Sequence, residues 1–531
     1  MKNLFFTLAL TACYLNTHAQ DLSKTMTVSG GTSVSIETGT TLYADELNLK
    51  STSDEFSSLL LKGDVGTATV VNYDRYVNEV GVSGVEGGND VISLPLKQST
   101  DVTFGEFLQY SADNDVTTNA DYLANSPSTS TLFAFGPYDN SATAYTNYNN
   151  TLGEDANVLL QRAVGYRAAT ETSGGTTLRF TGTASKVAEA VNISTSGINF
   201  WNSVGNPYST YVDSQAFLTA NVAVLKDDRQ AIYAYNNAVS SGVGTSGNFT
   251  IINFLVNNTI NIAPGQGFLL ANSTGDGTPN IIDFTPAMRT FNGSDDFIIG
   301  RDASPSPMLR LKAEHSNGDF ATEIYFNINS SLGLDPGYDA GVYGGTSYSF
   351  MLYSHLIEDN QGVNMAIQSL GSNDINDTVI PLGLKATQGQ QITFSIENST
   401  LPDDTDVYLE DNLTNTFTLL NANNYTITAN SNISGTGRFF LRVGSSTLST
   451  IDTESSSLHL FASEQTIFVK GQLLEQTKIS VYDLLGREVL SSNLEQGSDT
   501  NTINASTLKD GIYVVTLKNG RQEQTKKVII K

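Results

Sequence analysis

Residues 25–61 read TMTVSGGTSVSIETGTTLYADELNLKSTSDEFSSLLL, and their reading decides the fold class. Ser33-Val34-Ser35-Ile36, Glu46-Leu47-Asn48-Leu49 and Ser58-Leu59-Leu60-Leu61 put an apolar residue at every second position or run briefly apolar, with Gly, Thr and Asp between the runs. A side-chain period of two over four or five residues, broken by turn formers, is the pattern of short half-buried strands. Helical spacing is nearly absent. The stretch predicts strands stacked as a small solenoid or packed as a sheet.

The same texture continues outward. From 531 residues, three or four domains are expected. Two stretches carry similar elements in the same order. Val91-Ile92-Ser93-Leu94-Pro95-Leu96, Phe107-Leu108, Leu132-Phe133-Ala134-Phe135 and Gly165-Tyr166-Arg167 are followed by Ser203-Val204-Gly205-Asn206-Pro207-Tyr208, Phe217-Leu218, Ile232-Tyr233-Ala234-Tyr235 and Gly267-Phe268-Leu269. This reads as a degenerate internal duplication, set against the general likeness of all-β sequences. Ser304-Pro305-Ser306-Pro307 marks a linker, because Pro breaks a strand ladder. Beyond it, six or more alternating segments between Leu309 and Val443 predict a sandwich of jelly-roll or immunoglobulin type. The expected architecture is all-β, several β-sandwich domains in tandem: 1–19 a signal peptide, 20–85 an N-terminal strand region, 86–303 the duplicated domain, 304–445 a sandwich and 446–531 a terminal domain.

Charge supports that last boundary. The chain holds 28 Lys and Arg against 54 Asp and Glu, a net of −26. Residues 447–531 carry nine basic against ten acidic residues, so the first 446 carry −25. An acidic body repels phosphate backbones, which excludes nucleic acid as the expected partner. At the N-terminus, Lys2, an apolar run from Leu4 to Ala12 and Thr17-His18-Ala19 read as a secretory signal cleaved between Ala19 and Gln20. The competing reading is a lipobox, Leu10-Thr11-Ala12-Cys13, acylated at the one cysteine of the chain. Cleavage before Gln20 leaves no cysteine for disulfides, thiolate chemistry or zinc. No later apolar run has the length of a transmembrane helix.

The tail contains Ile479-Ser480-Val481-Tyr482-Asp483-Leu484-Leu485-Gly486-Arg487-Glu488-Val489, then Leu508-Lys509-Asp510-Gly511-Ile512-Tyr513-Val514-Val515, then Thr525-Lys526-Lys527-Val528-Ile529-Ile530-Lys531. These three motifs resemble the type A C-terminal sorting domain of proteins exported by the Bacteroidetes type IX secretion system (T9SS). Tyr482, Asp483, Gly486, Arg487, Gly511, Tyr513, Lys526 and Lys527 carry the likeness. Many members open with a Pro-Asn-Pro strand, where Leu458-His459-Leu460-Phe461-Ala462 stands in this chain. The resemblance implies a small immunoglobulin-like sandwich, the type IX machinery as partner, and a destination outside the cell or on its outer surface. Phe200 to Tyr208 and Pro264 to Phe268 resemble segments of large secreted flavobacterial surface proteins of undefined activity.

Chemistry is thinly signalled. Gly242-Val243-Gly244-Thr245-Ser246-Gly247 has a dinucleotide-loop spacing but precedes a strand, so it reads as a hairpin loop. No zincin or nucleophile-elbow motif occurs, and no catalytic residue is assigned. Tyr138, Tyr145 and Tyr148, among Asn and Asp side chains, are candidate glycan contacts, since a flat apolar face beside amides and carboxylates complements a sugar ring. Asp403, Asp404 and Asp406 are candidate Ca²⁺ ligands, with Asp295-Asp296 a weaker pair. No other cofactor is implied. The leading expectation is a secreted or surface protein of adhesion or glycan contact, without catalysis. The alternatives are an extracellular polysaccharide hydrolase and a structural surface or matrix component.

Overall fold

The computed structural model describes residues 24–81, 89–97, 102–111, 116–126, 128–151, 153–196, 199–235, 245–246, 249–273, 279–291, 293, 306–345, 347–445, 459–463, 465–470, 476–494, 500–518 and 523–530. Cys13, Ala19, Gln20, Asp295, Asp296 and, apart from Thr245 and Ser246, the stretch from Gly242 to Gly247 lie outside them. The described chain is all-β: strands dominate, and the longest α-helix, Ser214–Asn221, has eight residues. Contacts divide it into two compact units, residues 1–242 with 248–302, and residues 303–531 with 243–247.

The first unit opens as a parallel solenoid. Strand Thr25–Val28 pairs in parallel with Glu46–Lys50, which pairs in parallel with Val70–Val77. Ser33–Ile36 lies parallel to Ser58–Leu61, and Thr41–Leu42 to Asp64–Val65. Each rung thus sets its strands above those of the next. The alternation seen in sequence places Leu47, Leu49, Leu59 and Tyr73 in the interior, each at most 1% exposed. Gly63 sits at a corner where a Cβ would lie 2.4 Å from the carbonyl oxygens of Glu37 and Thr40. Any side chain there would separate two rungs.

Val70–Val77 also begins a pattern that then recurs. It pairs antiparallel with Thr176–Gly182, as Glu189–Ile193 does with Asn280–Phe284. Between these lie a four-stranded and a five-stranded sheet that share one neighbour order over four strands, the fifth being Thr245–Ser246 at an edge. In the first, Asp90–Ile92, Tyr166–Ala168, Phe135–Asp139 and Ala144–Tyr145 lie side by side; in the second, Trp201–Gly205, Gly267–Ala271, Ile232–Tyr235 and Phe249–Ile252 do. The registers agree: Ile92 faces Tyr166 as Val204 faces Phe268. Gly136 faces Arg167 as Tyr233 faces Leu269. The equivalent of Ile232–Tyr235 is therefore Phe135–Tyr138, three residues beyond the aromatic run that sequence comparison aligns with it.

Side chains repeat as well. Asn119 donates to the carbonyls of Phe107 and Arg179, at 2.9 Å each, and accepts from the Arg179 amide at 2.9 Å. Asn221 donates to Phe217 at 2.9 Å and Asp283 at 3.0 Å, and accepts from the Asp283 amide at 2.8 Å. Phe107 packs on Phe180 with ring centroids 5.0 Å apart, and Phe217 on Phe284 at 4.9 Å. The two arrangements join reciprocally. Ile92 bridges Gln266 and Val204 bridges Val164. Ser93 N–H donates to Gly265 at 2.7 Å and Gly205 N–H to Ala163 at 2.9 Å. Ala163 and Gly265 both take left-handed backbone, φ 61° and 64°. Exchanging the two arrangements maps each contact onto the other, the signature of an internal two-fold axis.

The second unit holds an eleven-stranded sheet running from Thr416–Leu419 at one edge to Tyr425–Thr428 at the other. It rolls onto itself. Phe394 and Phe439 lie on strands far apart in the order, yet their rings are 5.0 Å apart, and Tyr425 of one edge donates to Asp411, beside the other, at 2.9 Å. Fully buried Arg310 crosses this sheet, bonding Glu323 at 2.7 Å and Glu397 at 2.5 Å, while Tyr325 donates to Glu323 at 2.8 Å. Residues 459–530 form a smaller sandwich of three strands (His459–Ser463, Thr466–Lys470, Thr500–Asn504) against four (Glu488–Asn493, Lys478–Tyr482, Gly511–Lys518, Glu523–Ile530). Ile467, Val469, Ile479, Val481 and Val515 are fully buried between the sheets.

Candidate functional site

The tail motif folds into a clamped turn. After strand Lys478–Tyr482, the Asp483 carboxylate accepts from the Leu485 amide at 2.9 Å, the Arg487 amide at 3.0 Å and the Arg487 guanidinium at 2.7 Å. These bonds, first of all the one from the Arg487 amide, hold the Asp483 carboxyl below its ordinary range. Gly486 takes φ 76°, which a glycine adopts without strain. Asp, Gly and Arg at this spacing therefore form one device: the carboxylate fixes the loop from inside, the glycine turns the backbone, and the arginine closes the ring. Leu484 and Leu485 at the tip are 72% and 81% exposed. Nothing in the alternation pattern marks them as exposed; only the clamp, which turns both outward, does so.

The other motif residues are dispersed. Tyr482 is half-buried before the turn. Tyr513 is 9% exposed and donates to the Lys509 carbonyl at 2.8 Å, closing the Lys509–Gly511 corner. A Cβ on Gly511 would meet its nearest atom at 3.7 Å, so space alone does not demand glycine. Lys526 and Lys527 are exposed on the last strand, and Lys527 donates to the carbonyl of Asn360.

The three tyrosines do not share a surface. Tyr148 is 8% exposed and packs on Phe104 at 5.2 Å, and burial raises its phenol to about 12. Tyr138 and Tyr145 are cross-strand partners with rings edge to face at 5.2 Å, and the Tyr145 hydroxyl donates to Ser203 at 3.0 Å. The surrounding polar groups are engaged internally. Asp139 caps its loop through Ser141 at 2.6 Å, Asn140 donates to the Trp201 carbonyl at 2.8 Å, and Asn147 accepts from Arg167. The half-buried Tyr138–Tyr145 pair beside the Asp139 loop is the part that reaches solvent.

Asp403 and Asp404 are exposed in the turn before strand Thr405–Asp411, and Asp406 is half-buried within that strand. Among the described residues, no three or more His, Cys, Asp or Glu side chains gather as a metal-binding group. Other carboxylates are tied to cations: Asp74 to Arg179 at 2.7 Å, Asp411 to Arg438 at 2.8 Å and Glu410 to Arg442 at 2.7 Å. Asp339, fully buried, accepts from the amides of Asp335 at 2.7 Å and Ser369 at 2.6 Å, yet burial pushes its carboxyl up to about 8.

A groove of about 400 Å³ is lined by His355, Asn360, Phe440, Phe461 and Ile529, among others. The Gly362 amide donates to Asn360 Oδ1 at 2.7 Å, so Asn360 Nδ2 is the donor to His355 Nδ1 at 3.1 Å, and His355 Nε2 carries the proton that it shares with Asn364 at 3.1 Å. The imidazole is thus saturated by two amides.

Residues 9–443 match a family described as Domain of unknown function (DUF8693), and residues 463–531 match the Secretion system C-terminal sorting domain. No curated protein matches the chain. A solved structure described as "Biofilm associated protein - BSP domain" is similar at 8% identity, covering 85% of this chain and 91% of its own, with a TM-score of 0.18. No helix among the described residues is long and apolar enough to cross a membrane.

Proposed function

We propose that this chain, which belongs to the Domain of unknown function (DUF8693) family and is a type IX secretion cargo delivered to the cell surface or beyond, acts there without catalysis, as an adhesive protein that contacts glycans. The observation that carries the non-catalytic reading is the state of the carboxylates. Glu323 and Glu397 are bound to Arg310, Asp74 to Arg179 and Asp411 to Arg438, so these acids stabilise strands and do not converge as an acid and base on a cleft. Adhesion agrees with the rest: delivery to the cell surface or beyond, a body with net charge −25, and strands that dominate the described residues.

Within that body, the Tyr138–Tyr145 pair beside the Asp139 loop is the surface we assign to glycan contact. A T-shaped pair presents one ring edge and one face, and sugar C–H groups stack on the face. The test is a glycan array and a whole-cell attachment assay on the full chain and on Tyr138→Ala. Binding that Tyr138→Ala abolishes supports the reading. No glycan bound and no change in attachment on deleting the protein would refute it, and release of reducing ends from a polysaccharide would replace it with the hydrolase.

A further inference from the structure

The four-stranded sheet of the sorting domain has two unlike edges. One is strand Glu523–Ile530, which carries Lys526 and Lys527, and lysine on an edge is a usual guard against pairing with another chain. The other, Glu488–Asn493, has the sequence Glu-Val-Leu-Ser-Ser-Asn, without Lys, Arg or Pro, and apart from half-buried Leu490 its side chains are exposed. Its backbone parity follows from one bond: Leu494 N–H donates inward to the Thr477 carbonyl at 2.9 Å. In an antiparallel ladder the inward groups then fall on Ser492 and Leu490, so the N–H groups of Ser491 and Asn493 point away from the sheet. Next to this edge the clamped turn holds Leu484 and Leu485 in solvent, while the nearby cations Arg487 and Lys478 are each matched by a carboxylate, Asp483 at 2.7 Å and Glu488 at 3.8 Å.

We propose that this edge and the two leucines are the surface by which the export machinery reads the domain: a receptor of that machinery adds an extended strand to Ser491–Asn493 and seats Leu484 and Leu485 in an apolar pocket. Main-chain pairing supplies affinity largely independent of sequence, and the pocket supplies selectivity. The inference rests on the sorting reading of residues 463–531, whose known business is export, and this makes a receptor the expected occupant. A second copy of the chain is the competing occupant.

The experiment compares export of the full chain with that of Ser491→Pro, which deletes one outward N–H and leaves the inner ladder intact, of Leu484→Ser/Leu485→Ser, and of the chain ended at residue 446, all in a type IX-competent cell. Loss of a few paired or buried groups corresponds to about tenfold weaker recognition or more. Both full-length variants should therefore fall about tenfold outside the cell and accumulate in the periplasm. Their purified forms should melt within about 2 °C of wild type, as exposed substitutions do. If Ser491→Pro lowers the melting point further, Asn493→Lys, which crowds the same edge but keeps every inner bond, takes its place. Normal export of the stable edge variant and of the leucine variant would overturn the inference while leaving the sorting reading intact. Export of the chain ended at 446 would overturn the sorting reading itself. A dimer that Ser491→Pro dissociates without affecting export would assign the edge to the second copy and also overturn the inference.

Discussion

Replacing Asn221 with Ala is predicted to destabilise the first unit by about 3 kcal/mol, from three lost hydrogen bonds at about 1 kcal/mol each. The side chain is 2% exposed and ties helix Ser214–Asn221 to strand Asn280–Phe284 through the Phe217 and Asp283 carbonyls and the Asp283 amide. Asn119 makes the same three bonds at the equivalent place and is also 2% exposed. Asn119→Ala should therefore cost the same within about 1 kcal/mol, the usual scatter for one chemistry in two settings. The assay is urea unfolding of the full chain followed at Trp201, its one tryptophan, which is 2% exposed and 4.8 Å from the Tyr233 ring. With a slope near 3 kcal/mol/M, each variant should move the midpoint down by about 1 M. A shift of under about 0.3 M for either variant, or a large shift for one and none for the other, would refute the equivalence of the two arrangements.

Three further outcomes follow from buried charge and backbone. Asp339 holds its proton up to about pH 8 when folded but gives it up near 4 when unfolded, so its contribution is complete below about 4, falls as pH rises toward 8 and is flat above. Unfolding midpoints of the second unit between pH 5 and 9 should show that decline in wild type and lose it in Asp339→Asn. Arg310→Met leaves Glu323, 1% exposed, without its cation and should cost about 3–5 kcal/mol in chemical denaturation, whereas replacing Arg310 and Glu323 together by apolar residues should recover most of this. Gly486→Ala, at φ 76°, should lower sorting-domain stability by about 1 kcal/mol, measured by thermal unfolding of the full chain.

Much of the fold was legible because strand periodicity is local. Ser33–Ile36 and Ser58–Leu61 announce alternation, but their parallel stacking, the solenoid rather than a simple sheet, depends on partners 25 residues apart and leaves no mark in either segment. Phe107-Leu108 and Phe217-Leu218, matched in the sequence, pack alike, Phe107 on Phe180 and Phe217 on Phe284. The aromatic strand was aligned three residues early, because Leu132–Phe135 imitates Ile232–Tyr235 in composition while pairing decides the true partner, Phe135–Tyr138. Function is harder to read for the same reason. Tyr148 looks like its neighbours in sequence, yet tertiary packing places it against Phe104, and the exposure of Leu484 and Leu485 comes from hydrogen bonds to Asp483 that composition does not report. The Asp483–Arg487 turn is made by residues within five positions of one another, yet in the sequence it stands only as part of a resemblance, because strand periodicity does not register a carboxylate clamp.

Behind a signal peptide, residues 447–531 should be enough to direct export. The direct measurement attaches them, with a signal peptide, to a reporter unrelated to this chain and locates the reporter in a type IX-competent cell. Reporter in the medium or on the outer surface is the expected result; reporter retained in the periplasm would show that these residues do not carry the sorting signal.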